Sequence, residues 1–233
     1  MFRSTMDSHA IPVTNQSLKG ETTVEEPDRA ARAIARRSAE IRATVPDLEL
    51  STDADAAAML DRAAREGVAT TAVLMSACAA ALREFPRVNG AYRDGRYERY
   101  ARVNVGMLIQ TADSQVTATI LDADAKSLSE LDVELTRLSQ RALSGELTPP
   151  EQAGATFTLS DLGQHGVHRA AGLVAPSQAA VLAAGAIRDV PVVRDGTVSA
   201  GHQLTLTLTT DHRIVYGAQA AGFLGRVVEL VRA

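Results

Sequence analysis

Along most of the chain apolar positions recur with a helical or a strand period, and the exception is its beginning. Residues 1–27 mix Ser, Thr, Asn, Gly and Glu with neither period, which predicts a flexible N-terminal arm. Pro27 then stands where a helix can start. The segment DRAARAIARRSAEIRA carries a thin stripe of Ala30, Ile34 and Ile41 on a basic helix that Pro46 ends. The alternation of DLELST (47–52) predicts a strand. Asp53 is expected to cap the next helix, ADAAAMLDRAAREG, and Gly67 to stop it. TAVLMSACAAALREF is apolar on nearly every face, which predicts a buried helix from Thr70 or Thr71 to Pro86.

From Val88 to Thr119 the pattern turns to strands, with Asp94-Gly95 marking a hairpin turn. Ser127 and Glu130 have the spacing of a capping box. They open an amphipathic helix to Leu143 whose buried face is Leu128, Leu131, Leu135 and Leu138. Pro149-Pro150 closes the segment after it. Four strand-like runs follow, ATFTLSDLG, QAAVLAAGAI, PVVRDGTV and HQLTLTLTTD, and then a last helix from about Gly217 to Val231. No internal repeat is visible. The expected fold is α+β, a mixed β-sheet with helices packed on it, forming one domain over residues 28–233.

Composition narrows the class. A chain of 233 residues, 45% hydrophobic and 22% charged, suits a soluble globular domain with its own core. A net charge of −4 disfavours nucleic acid and anionic membranes as partners. No apolar run approaches the roughly 18 residues of a bilayer span. The N-terminus lacks a signal-peptide core, so a cytoplasmic protein is expected. Cys78 is the only cysteine, which rules out an internal disulfide or a cysteine-based zinc cage and suits a small buried hydrophobe. Arg93, Arg96, Arg99 and Arg102 interleave with Tyr92, Tyr97 and Tyr100. On an acidic protein this reads first as a solvated hairpin, with a nucleic-acid patch or a site for an anionic cofactor phosphate as alternatives.

Common catalytic signatures are absent: no glycine-rich phosphate loop, no GxSxG and no HExxH. His165 and His168 have a spacing that suits two ligands, but a third is not evident and no metal is expected. His9 lies in the arm, and His202 begins a strand without an obvious partner. His212 follows the strand LTLTLTTD and precedes a glycine-initiated helix, a junction that projects a side chain from a rigid support. From the residues alone, both a structural and a functional histidine fit there.

Several segments together resemble one family. DHRIVYGAQAAGFL (211–224) is similar to the DHRxxDGAxAAxFL signature of the E2 acyltransferases, the catalytic cores of 2-oxoacid dehydrogenase complexes, which share the chloramphenicol acetyltransferase fold. TFTLSDLG (156–163) resembles the family's TFTISNLG, and APSQAAVLAAGAI (175–187) its NPPQAAILAVGAI. VNVGM (103–107) matches VNIGIA, while IARR (34–37) and Val45-Pro46 match its IARRM and IPH segments. The motifs occur in order over about residues 28–233.

The resemblance implies a chloramphenicol acetyltransferase-like two-layer sandwich and direct acyl transfer from a thioester. His212 would be the general base for the attacking hydroxyl or thiol, and Ser160 the donor to the developing oxyanion. Asp211 and Arg213 of the signature, with Tyr216, would bind substrate or tune the site. Tyr216 departs from the pattern, since the family has Asp, sometimes Asn, at that place. No cofactor is expected to stay bound, and acetyl-CoA or another acyl-CoA would be the co-substrate. Family sites lie between subunits of a trimer, so a homotrimer with three shared sites is expected.

The sequence reads as the core alone, without a lipoyl or subunit-binding segment or an acidic leucine-rich tail. That favours a diffusible CoA thioester and a small-molecule hydroxyl acceptor, such as a tetronate intermediate of natural-product biosynthesis. The alternatives are a dihydrolipoamide acyltransferase core of a 2-oxoacid dehydrogenase complex and a non-catalytic assembly protein that keeps the fold.

Overall fold

The computed structural model describes residues 20–111, 114–194 and 196–233. Most of the expected arm, residues 1–19, lies outside them. The chain divides into two units, residues 1–37 and 38–233. In the first, Asp28 accepts a bond from the Ala31 amide (2.7 Å), capping helix α1 (Arg29–Thr44). The second unit holds strands β1 to β9.

Its centre is a seven-stranded mixed sheet. The strands are β1 (Asp47–Asp55), β4 (Val105–Gln110), β5 (Gln115–Ile120), β6 (Phe157–Asp161), β7 (Ala180–Ala184), β8 (Arg188–Arg194) and β9 (Thr197–Asp211). They run in the order β1-β9-β7-β6-β4-β5, and β8 pairs with the first half of β9. The β4–β6 and β6–β7 pairs are parallel and all others antiparallel. A separate hairpin, β2 (Gly90–Arg93) and β3 (Arg96–Arg99), turns on Asp94 (φ 49°) and Gly95 (φ 76°), the left-handed pair that a tight hairpin needs.

One face of the sheet carries Phe157, Leu159, Leu182, Leu204, Leu206 and Leu208 into the main core. Helices α2 (Ala57–Glu66), α3 (Thr70–Glu84), α4 (Leu128–Leu143) and α5 (Gly217–Val231) supply the rest of that core. Buried positions on α3 include Ala72 through Met75 and Ala77 through Ala79, as its apolar sequence requires. Cys78 lies among them, and burial pushes its thiol up to about 12, so it is inert at neutral pH. The α4 capping box forms as its sequence requires, with Ser127 N–H donating to Glu130 (2.8 Å) and Glu130 N–H to Ser127 Oγ (3.3 Å). Phe223 of α5 meets Phe85 and Phe157 edge-on, at 5.8 and 5.6 Å, locking helix to sheet.

Three expectations need correction. Asp53 does not cap α2: strand β1 runs on to Asp55, Asp53 accepts a bond from Thr205 of β9 (2.6 Å), and Asp55 accepts the Ala57 amide (3.0 Å). PVVRDGTV is not one strand. Gly196, at φ 78°, turns the chain, and the segment is shared between β8 and a β9 of 15 residues. His202 has a partner across that hairpin, Asp189, at 2.8 Å.

Candidate active site

His212 begins the turn after β9, where Pro46 accepts its backbone N–H (2.9 Å). The turn is pinned by its neighbours. Asp211, 2% exposed, accepts the Arg213 amide (3.0 Å) and both sides of the Arg213 guanidinium (2.7–3.2 Å). That carboxylate holds the arginine above its ordinary pKa. The Asp211 carbonyl accepts from Ile214 and Val215, which are fully buried. His212 itself is exposed. Its ring meets Tyr216 edge-to-face, 5.7 Å between centroids at 72°.

The β2–β3 hairpin lies against this turn. The Tyr97 and Tyr216 hydroxyls share a hydrogen bond of 3.0 Å, and the Arg213 guanidinium sits 4.6 Å from the centre of the Tyr92 ring. The bond from Tyr216 raises the Tyr97 hydroxyl above its ordinary value, so it is neutral at pH 7. Arg87 lies 5.3 Å over the Tyr97 ring. Of the basic-aromatic pattern, Tyr92 and Tyr97 therefore serve packing, with arginines from outside it, Arg213 and Arg87.

Ser160 sits on β6, flanked by β4 and β7. Its neighbours Phe157 and Leu159 enter the main core, so Ser160 and Thr158 take the opposite face. Ser160 is 4% exposed, and its hydroxyl has no hydrogen-bond partner among the described residues. Thr158 donates to Gln178 (2.7 Å) and Gln178 to the Ala155 carbonyl (3.2 Å). Asp161 accepts from Thr71 (2.6 Å) and from the Gly163 amide (3.0 Å). Gly163 and Gly185 allow the close packing beyond β6: a Cβ on Gly185 would stand 1.9 Å from the His168 carbonyl oxygen.

A cavity of about 720 Å³ opens beside this strand end, on the helix side of the sheet. Met59, Leu74, Met107 and Leu135 are its apolar wall, and Asp161 and His165 are among its polar groups. His165 and His168 are thereby separated in role. His168 Nε2 contacts Arg188 (2.6 Å) and Thr205 (3.0 Å), and no group of three metal-ligand side chains occurs among the described residues.

Ser160 and His212 do not meet within one chain. Ser160 pairs with Ala183, and Ala183 with Thr207, five residues before His212. At about 3.3 Å per residue and 4.8 Å per strand, the two lie roughly 19 Å apart. Sequence reasoning missed the contribution of Tyr97 and the wall of the cavity, because both depend on residues distant in sequence.

The fold is that of chloramphenicol acetyltransferase, a solved structure of which is 15% identical with a TM-score of 0.54 over 84% of this chain and 94% of its own. The chain belongs to the family of 2-oxoacid dehydrogenase acyltransferases: the family's catalytic-domain model matches residues 19–233. It is 30% identical to the dihydrolipoyllysine-residue acetyltransferase component of the pyruvate dehydrogenase complex of Zymomonas mobilis, over 94% of this chain and 53% of that protein. The corresponding Rhizobium meliloti protein is 32% identical over 84% of this chain and 47% of its own length. The chain thus spans about half the length of these relatives. The dihydrolipoamide acetyltransferase of Azotobacter vinelandii superposes with a TM-score of 0.87 at 27% identity, covering 95% of this chain and 96% of that one. That structure comes from a study of a serine, a histidine and an asparagine in the catalytic mechanism, spaced along its chain by the same offsets as Ser160, His212 and Tyr216. Among the described residues no helix is long and apolar enough to cross a membrane.

Proposed function

We propose that this chain is an acyltransferase catalytic core that moves an acyl group, acetyl first of all, between a dihydrolipoyl thiol and the thiol of coenzyme A. The reading rests on the separation of Ser160 from His212 in a single chain. A site that needs both takes the serine from one copy and the histidine from the next, and a ring closed by threefold symmetry gives three such sites.

The chemistry follows from these two side chains. The His212 imidazole takes the proton of the attacking thiol as its sulfur bonds to the carbonyl carbon. Negative charge gathers on the carbonyl oxygen, where the Ser160 hydroxyl donates. Collapse breaks the original carbon–sulfur bond, and the imidazolium returns the proton to the departing thiolate. No acyl-enzyme forms. Asp211 and Arg213 hold the turn that carries the base, and Tyr216 shapes its surroundings.

The relatives are named for transfer on a lipoyl group, and the lipoyl acceptor takes the place of the expected tetronate. Tyr216 is the one feature that favours an alcohol acceptor, since a phenol hydroxyl stands where the family has Asp or Asn. The test is turnover of acetyl-CoA by purified protein with dihydrolipoamide and, separately, a hydroxymethyl tetronate. Preferred transfer to the thiol is expected. Preference for the alcohol would overturn the acceptor assignment, and transfer to neither would leave a non-catalytic assembly protein.

A further inference from the structure

We infer that Tyr97, on the β2–β3 hairpin, is a positioning residue of the acyl-transfer site: its hydroxyl fixes the Tyr216 ring, and that ring fixes the plane of the His212 imidazole. Only the activity readout of this inference rests on the proposed reaction; the geometry is independent of it.

Tyr97 and Tyr216 are 119 residues apart in sequence and joined by a 3.0 Å hydrogen bond. Within one chain burial does not impose that bond, because the two residues are 48% and 43% exposed there. Something else must offset the side-chain entropy of holding two exposed rings. A circuit of contacts does so. Asp211 grips Arg213, the Arg213 guanidinium covers Tyr92, and Tyr92 packs on Tyr97 at 6.1 Å, directly opposite it in the hairpin. Arg87 covers Tyr97 as well. Tyr97 then bonds Tyr216, and Tyr216 meets His212 edge-on. The circuit starts at Asp211 and closes at His212, its neighbour in the chain. The hairpin is anchored a second time, by the Tyr100 hydroxyl donating to the Ser177 carbonyl at 3.0 Å.

The need for such a brace follows from Tyr216 itself. A short Asp or Asn has few rotamers and little reach. A tyrosine on an exposed helix N-terminus swings freely unless its far end is held, and a general base works only within narrow limits of angle and distance. Tyr97 holds that end.

Tyr97→Phe keeps the ring with its Tyr92 and Arg87 contacts and removes only the hydroxyl. In the acetyl-CoA and dihydrolipoamide assay, kcat should fall about 3–10-fold, the worth of one neutral hydrogen bond, with both KM values unchanged. Tyr216→Phe should do the same, and the double variant should lose no more than either single one. A second arm needs no turnover. In protein labelled at histidine, the His212 ring signal is assigned by its loss in His212→Asn, and Tyr216→Leu shows its position without the neighbouring aromatic ring. In Tyr97→Phe the signal should move toward that position. An unmoved His212 signal, additive losses in the double variant, or a change confined to KM would overturn the inference. Wild-type protein without turnover would defeat the proposed reaction and leave the spectroscopic arm to judge Tyr97.

Discussion

Ser160 and His212 come from regions built on opposite principles. Ser160 lies inside a sheet, between parallel strands whose backbone bonds fix it before any side chain is considered. His212 lies on an exposed turn that side chains must brace: a buried carboxylate, an arginine and three tyrosines. The strand around Ser160 resembles the family's segment over its whole length, whereas the turn carries Tyr216 at the offset where the Azotobacter vinelandii enzyme has an asparagine. In the proposed reaction the donor comes from a sheet, which leaves little to adjust, and the base from a turn that side chains of the hairpin contact and can re-brace.

Removing each half in turn tests that contrast most strongly. His212→Ala should lower turnover by about 10²–10⁴-fold with the fold retained, the range for a general base. Ser160→Ala should lower kcat by about 10²–10³-fold, as losing one oxyanion donor does, with a smaller effect on KM. If neighbouring copies share the site, the two inactive variants should rescue each other. Co-assembled in equal amounts, they leave a site intact only when its histidine comes from a Ser160→Ala chain and its serine from a His212→Ala chain, which restores about a quarter of wild-type activity. A mixture as inactive as its parents would show that the site does not draw on two chains.

The next effect is on stability and falls on the histidine side alone. Arg213→Ala leaves the Asp211 carboxylate, its side chain 3% exposed, without its guanidinium. A loss of about 1.5–3 kcal/mol in unfolding free energy is expected, the cost of a charged hydrogen bond removed from a buried group. Denaturant titration measures it. A loss under about 0.5 kcal/mol, in the range of a plain surface substitution, would show that the turn does not depend on this pair.

What the sequence discloses follows the same division. Features set by neighbours along the chain are legible: the Ser127–Glu130 capping box, the Gly67 stop at φ 66°, the Asp94-Gly95 turn and the apolar α3. Ser160 and His212 are singled out only by the resemblance of whole segments, and the variants above test them. Asp53 misleads because its carboxylate suits a cap and a cross-strand bond equally, and only the pairing of β1 with β9 decides between them. The partner of His202 and the bond between Tyr97 and Tyr216 have no local signal, since each joins elements that the fold brings together.

The smallest expected effect concerns the approach to Ser160. Glu151, in the short 3₁₀ turn before β6, accepts bonds from the Thr148 amide and hydroxyl (both 2.9 Å), from Arg137 (2.7 Å) and from Arg141 (3.2 Å). It thereby ties the segment leading into β6 to helix α4. The Thr148 amide first, then Arg137 and the Thr148 hydroxyl, lower its pKa from an ordinary 4.5 to about 2. A carboxyl with a depressed folded-state pKa stabilises fully above its unfolded value, and that contribution fades as pH falls through the folded one. Gln mimics the protonated acid, so the difference in melting temperature between wild type and Glu151→Gln should be full at pH 7. It should shrink below about pH 4.5 and close by about pH 2. The histidine side should not share this dependence, so the pair Arg213→Ala and Arg213→Ala/Glu151→Gln should show the same closing gap. A gap constant from pH 7 to pH 2 would mean that Glu151 acts by its shape and not by its charge.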